Sequence, residues 1–173
     1  LSYEIGKSYY NLNMFKEAEN YYAAFPSDLL GGKNNIDNLY EFAAVKYYVG
    51  RYSEAFKVLS ANNSALKERE LKLITDAAKQ LTLDKEYFVY LEKLAESPKS
   101  DASPKIEMIK HYLDKKEYDK IPPLALKALD NKTIGEDGRN RVKSYLAVAY
   151  YHLKAFDRSE KLLFELTNIN YPD

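Results

Sequence analysis

The sequence contains no cysteine in its 173 residues. That excludes disulfide frameworks, thiolate zinc sites and cysteine nucleophiles together, and it fits oxidising and reducing compartments alike. Histidine is scarce too. His111 and His152 are the two copies, on different expected helices, with no further ligand at a metal-binding spacing. Net charge is also missing: Lys+Arg and Asp+Glu number 26 each. No global field therefore draws the chain to nucleic acid or to an anionic membrane. No apolar run approaches the roughly 20 residues of a membrane span, and no secretory leader is visible. β-Branched residues are sparse and apolar spacing is helical, so strand signals are poor throughout.

What is present is 46% apolar and 30% charged, too hydrophobic for disorder and enough for a substantial core. The chain opens at Leu1 inside a helical pattern, which reads as a fragment of a longer protein or a processed form. Its clearest feature is a helix-pair pattern that returns about every 35 residues. Near the start it runs Ile5-Gly6, Tyr9, Phe15, Ala18, Tyr22; near the end it runs Leu146-Ala147, Tyr150, Phe156, Ser159, Leu163, with the same internal spacings. Between these, Asp37 or Asn38 can cap a helix carrying Leu39, Phe42, Ala43 and Tyr47, which Gly50 stops before Tyr52, Ala55, Phe56 and Leu59 return.

The third pair reads as a helix over 66–83, a turn at Asp84-Lys85-Glu86 and a second helix from Tyr87 to Ala95. The fourth runs from Lys105 to Leu113 and resumes near Ile121, because Pro122-Pro123 suit a helix start. Asn131 to Gly138 reads as a polar loop before the fifth pair, Arg141 to Leu153 and Phe156 to Thr167. Pro26 with Gly31-Gly32 and Asn34-Asn35 marks an early loop, and Pro98 to Pro104 marks a linker or inter-repeat connection.

These residues resemble the tetratricopeptide repeat (TPR), a helix-turn-helix unit with large-then-small apolar residues at set spacings. The family's large-small pair is matched by Ile5-Gly6, Phe42-Ala43 and Leu146-Ala147, and more loosely by Ala77-Ala78; its mid-helix aromatic is matched by Tyr9, Tyr112 and Tyr150. The aromatic opening the second helix is matched by Phe15, Tyr52, Tyr87, Tyr118 and Phe156, and the small residue after it by Ala18, Ala55 and Ser159, with Tyr90 and Ile121 in the middle units. The turn glycine is matched only by Gly50.

The resemblance implies an all-α, right-handed solenoid of about five antiparallel hairpins. It would be a single array over 1–173, with units near 1–35, 36–65, 66–100, 101–135 and 136–173 and a bend near 98–104. It also implies a non-catalytic scaffold whose concave face, built from the first helix of each pair, binds a peptide or folded protein. Carried over by position, that face presents Tyr3, Lys7, Tyr10 and Asn11, then Asp37, Tyr40, Ala44, Tyr47 and Tyr48, then Arg141, Ser144, Val148, Tyr151 and His152. Tyrosine offers stiff contact area with a polar tip, which suits peptide recognition. Tyr9, Tyr22, Tyr52, Tyr118 and Tyr150 fall instead at positions the repeat needs for its core. The family's clamp for terminal carboxylates would require cations where Tyr3, Tyr40 and Ala44 stand, so no such clamp is expected. The architectural alternative is a segment of a longer solenoid, self-associating through its ends. The Lys-, Asn- and Tyr-rich composition looks bacterial; the resemblance implies cytoplasm or cell envelope without choosing between them.

No cofactor or metal is expected, and no catalytic set stands out. Gly31-Gly32-Lys33 lacks the earlier glycine and following Ser or Thr of a phosphate loop. The carboxylate pairs Glu68 and Glu70, and Asp114 and Glu117, read as solvated helix surface. Asn62-Asn63-Ser64 and Asn131-Lys132-Thr133 fit the glycosylation pattern in turns where asparagine is common anyway.

Overall fold

The computed structural model describes residues 2–23, 36–62, 66–97, 100–132 and 134–170, with side chains omitted at 36, 37 and 168–170. The early loop from Pro26 to Asn35, Pro98, Asn63-Ser64, Thr133, Tyr171 and Pro172 lie outside the described residues. The helices are α1 (Ser2–Asn11), α2 (Phe15–Ala23), α3 (Ile36–Tyr48), α4 (Tyr52–Ser60), α5 (Glu68–Gln80), α6 (Asp84–Glu96), α7 (Ser103–Asp114), α8 (Ile121–Leu129), α9 (Glu136–His152) and α10 (Phe156–Asn170). No strand occurs among the described residues. The chain forms two compact units, 1–91 and 92–173, the division falling within α6.

One backbone device recurs in every hairpin. Asn13, Gly50, Thr82, Lys116 and Lys154 all have positive φ, between 54° and 86°. Each stands two residues after its first helix. The residue after each, Met14, Arg51, Leu83, Glu117 or Ala155, donates its N–H to a carbonyl five residues back at 2.8–3.0 Å. The left-handed residue itself donates three residues back at 2.9–3.1 Å. This pair of bonds is the Schellman termination, which satisfies carbonyls the helix end would orphan. The carbonyls of Met14, Arg51, Leu83 and Ala155 then accept from Ala18, Ala55, Tyr87 and Ser159, so the last capping residue of one helix opens the next.

These turns set the repeat register and correct part of the sequence reading. Asp84 and Glu86 belong to the first turn of α6, where their charges suit the helix N-terminus; the turn is at 81–83. Five residues after the left-handed position come Ala18, Ala55, Tyr87, Ile121 and Ser159, all buried. Tyr87, not Tyr90, therefore takes the small-residue place in the third hairpin, and Asp84 stands where the other hairpins open with an aromatic. Its large-small pair is Ile74-Thr75 rather than Ala77-Ala78. The Thr75 hydroxyl, buried, donates to the Leu71 carbonyl at 2.6 Å, so no polar atom is stranded. In the last hairpin Ser159 donates to the Ala147 carbonyl at 2.9 Å across the two helices.

One further start differs from expectation, and another falls at Ile121 as expected but with a short turn before it. Glu136 to Gly138 are helical, because Gly135 adopts the extended N-cap conformation and Glu136 and Asp137 fill the acidic first turn. In the fourth hairpin a 3₁₀ turn at Tyr118–Lys120 precedes α8. Pro122 and Pro123 have no N–H for the carbonyls four residues back. The chain tightens instead, with Lys120 N–H on the Glu117 carbonyl at 3.2 Å.

The first unit is packed around Tyr22, 1% exposed, with Ala18 and Val45 and with Tyr3, Tyr9, Tyr10, Phe15 and Phe42 against them. Gly6 lets α1 and α2 close: a Cβ there would lie 2.8 Å from the Tyr22 ring. The second unit buries Met108, Ile109, Ile121, Ala125, Val142 and Leu146.

Candidate functional site

Within the first unit α1, α3 and α5 lie in sequence, α3 touching both neighbours. Their shared face converges on Glu41, whose side chain is 13% exposed. The Tyr3 hydroxyl donates to Glu41 Oε2 at 3.1 Å, and the Tyr22 hydroxyl reaches the same oxygen at 3.5 Å. Lys7 Nζ stands 3.4 Å from Oε1. A carboxylate so nearly removed from water needs such donors, since an unmatched buried charge costs several kcal/mol by rough estimate.

The Tyr10 and Tyr40 hydroxyls are electrostatic neighbours, and the Arg69 guanidinium covers the Tyr40 ring at 4.5 Å. Arg69 is itself held, its Nε 2.6 Å from Glu70 Oε1. Glu70 is fully buried, and its other oxygen accepts the Lys67 N–H at 3.0 Å. The reading of Glu70 as solvated surface is therefore wrong: it caps α5 from within and fixes Arg69. Tyr48 stacks on Phe15 at 4.4 Å, meets Tyr47 edge-on at 5.5 Å, and remains 55% exposed. Tyr47 packs in turn on Tyr52 at 5.1 Å.

Burial, with help from Tyr40 and Glu41, pushes the Tyr10 hydroxyl up to about 12. Burial foremost also raises Tyr22, with Glu41 next, Tyr40, with Tyr48 next, and Tyr47, with Asp76 next. Tyr10, Tyr40 and Tyr47 thus keep neutral O–H groups at any physiological pH.

Of the residues singled out from sequence, Tyr3, Lys7, Tyr10, Tyr40, Tyr47 and Tyr48 come together on this face. Asn11 is exposed at the end of α1, and Ala44 is fully buried in the core rather than presented. Asp37 has no described side chain. In the second unit Arg141 shares a groove with Tyr145 and α7, whereas Tyr151, 60% exposed, lines a different groove against α10. Ser144 donates back to the Asn140 carbonyl at 2.9 Å, Val148 is exposed, and His152 stacks on Tyr118 at 4.1 Å. Sequence reasoning missed Glu41 and Arg69, which read locally as ordinary polar-face residues.

No protein-family model and no curated protein matches the chain. Solved structures do. MamA AMB-1 superposes with a TM-score of 0.63 at 10% identity, covering 99% of this chain and 91% of that one. A second MamA crystal structure gives 0.58 at 16%, covering 95% and 93%. A chain from Podosopora anserina with nearly identical TPR-like repeats gives 0.50 at 16%, covering 98% and 93%. The fold is TPR-like. It is an all-α, solenoid-type repeat of helix hairpins, and no described helix is long and apolar enough to cross a membrane. The TPR-like unit also accounts for Lys46, which takes the mid-helix aromatic place in the second hairpin. It is 6% exposed and bridges Glu19 at 3.1 Å and Glu54 at 3.0 Å.

Proposed function

We infer that this chain is a non-catalytic protein-interaction scaffold, a single array of hairpins whose first-helix face in the 1–91 unit is the binding surface for a peptide or folded partner. The observation behind this is the convergence of Tyr3, Lys7, Tyr10, Tyr40 and Tyr48 with Glu41 and Arg69 on α1, α3 and α5. The aromatic rings are held by one another and by fixed charges, so they lose little rotamer freedom when a ligand covers them. Hydroxyl donors and the Arg69 and Lys7 cations sit among apolar faces, the mixture that supplies anchors and orientation in peptide recognition. Arg141 and Tyr151 are candidate contacts of the second unit.

The test is selection from a displayed random-peptide library against the wild-type chain, followed by affinity measurement on Tyr48→Ala and Tyr47→Ala. A selected peptide that loses at least tenfold affinity in Tyr48→Ala, with helicity and melting temperature nearly unchanged, supports the assignment. Peptides indifferent to both substitutions would place binding elsewhere.

A further inference from the structure

The outgoing sides of the first and last hairpins carry matching residues, but among the described residues one is covered and the other exposed. Counted from the left-handed turn residues Asn13 and Lys154, Tyr10, Phe15, Glu19 and Tyr22 correspond to Tyr151, Phe156, Glu160 and Leu163. The match extends to geometry. Tyr10 meets Phe15 edge-on at 6.0 Å and 61°, and Tyr151 meets Phe156 at 5.7 Å and 68°.

In the first hairpin α3 fills this side. Tyr48 stacks on Phe15 at 4.4 Å, Lys46 pairs with Glu19 at 3.1 Å, and Phe42 reaches Tyr22 at 6.1 Å. Tyr22 is consequently 1% exposed. In the last hairpin the matching Leu163 is 51% exposed, Phe156 56% and Phe164 66%. With Tyr151 and the exposed Glu160 they line a groove of about 440 Å³. An apolar strip of this kind beside one carboxylate is shaped like half of a hairpin-to-hairpin contact.

We propose that the outgoing side of α9 and α10 docks an amphipathic helix of a partner protein built on the α3 pattern. That pattern is a large apolar residue, an apolar residue three on, a base four on and an aromatic six on, as in Phe42, Val45, Lys46 and Tyr48. The apolar pair covers Leu163 and Phe164, the base meets Glu160, and the aromatic stacks on Phe156. This is helix-in-groove recognition. A second copy of this chain does not supply it: at the same positions α1 carries Ile5, Ser8, Tyr9 and Asn11, with no base for Glu160 and no aromatic for Phe156. The surface belongs to the last hairpin and does not depend on the α1, α3 and α5 face.

The probe is a labelled, end-capped peptide of residues 36–50, the segment that covers the equivalent side of the first hairpin, titrated into the intact chain by fluorescence anisotropy. Saturable binding is expected. Phe156→Ala should weaken it about tenfold, and Glu160→Lys about fivefold, as for loss and reversal of one exposed ion pair. A peptide carrying Lys46→Glu should regain most of that loss on the Glu160→Lys chain. Three results overturn the proposal. One is no binding at peptide concentrations of about 1 mM. Another is binding unchanged in both variants, which means the peptide displaces its own copy in the first unit. The third is a concentration-dependent dimer of the chain abolished by Phe164→Ser, which assigns the face to a second copy.

Discussion

Replacing Gly6 with alanine sets two effects of known sign against each other. Gly6 lies inside α1, where exchange for alanine should favour the helix by about 1 kcal/mol. The added Cβ, however, would stand 2.8 and 2.9 Å from Tyr22 Cε1 and Cδ1 and 3.2 Å from Tyr21 Cβ. The obstructing ring cannot easily yield: it is 1% exposed, lies 5.6 Å from the Tyr3 ring and 6.1 Å from Phe42, and its hydroxyl reaches Glu41. Overpacking of such a core costs about 1–3 kcal/mol, so Gly6→Ala should destabilise by about 1 kcal/mol net. The second hairpin shows the cure. At the two matching positions it has Ala43 and Leu59, both fully buried. Gly6→Ala should therefore become neutral or stabilising in a Tyr22→Leu background, a coupling of about 1–2 kcal/mol between touching sites. Urea unfolding followed by far-ultraviolet circular dichroism on the wild type, both single variants and the double variant measures it. A stabilising Gly6→Ala on its own, or a cost unchanged by Tyr22→Leu, would refute the close-approach argument.

The repeated turns predict the opposite sign for glycine where it is absent. Lys116→Gly and Lys154→Gly, both at φ 61°, should raise stability by roughly 1 kcal/mol each, because an L side chain there is strained. Gly50→Ala should lower it by a similar amount even though nothing crowds its Cβ; the same urea midpoints decide. Alkaline pH gives the other test. Tyr10 holds its proton up to about 12 in the fold but only to about 10 when unfolded. Its contribution is therefore complete below about pH 10 and is lost as pH rises toward 12. The unfolding midpoint should fall across that window and fall less steeply in Tyr10→Phe; equal slopes would contradict the assignment.

The helices were legible where apolar spacing and a turn residue agree. Ile5-Gly6 through Tyr22 and Leu146-Ala147 through Ser159 fall at the expected places in the structure. The third hairpin was misregistered because Thr82 does glycine's work at φ 54° and Asp84 opens α6 without an aromatic. Nothing in the letters near 82 announces a left-handed residue. Glu70 misled for a related reason: its acceptor role depends on the backbone of Lys67 and the reach of Arg69, and the pattern Lys67 to Glu70 lacks the hydroxyl residue that usually marks a capping box.

Helix class, repeat period and the tyrosine-rich face of the first helices follow from side-chain periodicity, a local property that each segment carries with it. Which of those tyrosines are surface and which are core does not. Glu41 acquires its role from Tyr3 and Lys7 on a helix more than thirty residues earlier, and Ala44, one helical turn before Tyr48, turns inward while Tyr48 stays out. The difference between Tyr22 at 1% exposure and Leu163 at 51% is likewise invisible in two matching segments. Only packing decides it, because burial depends on whether a following helix covers the face, and that helix is elsewhere in the chain or in a partner.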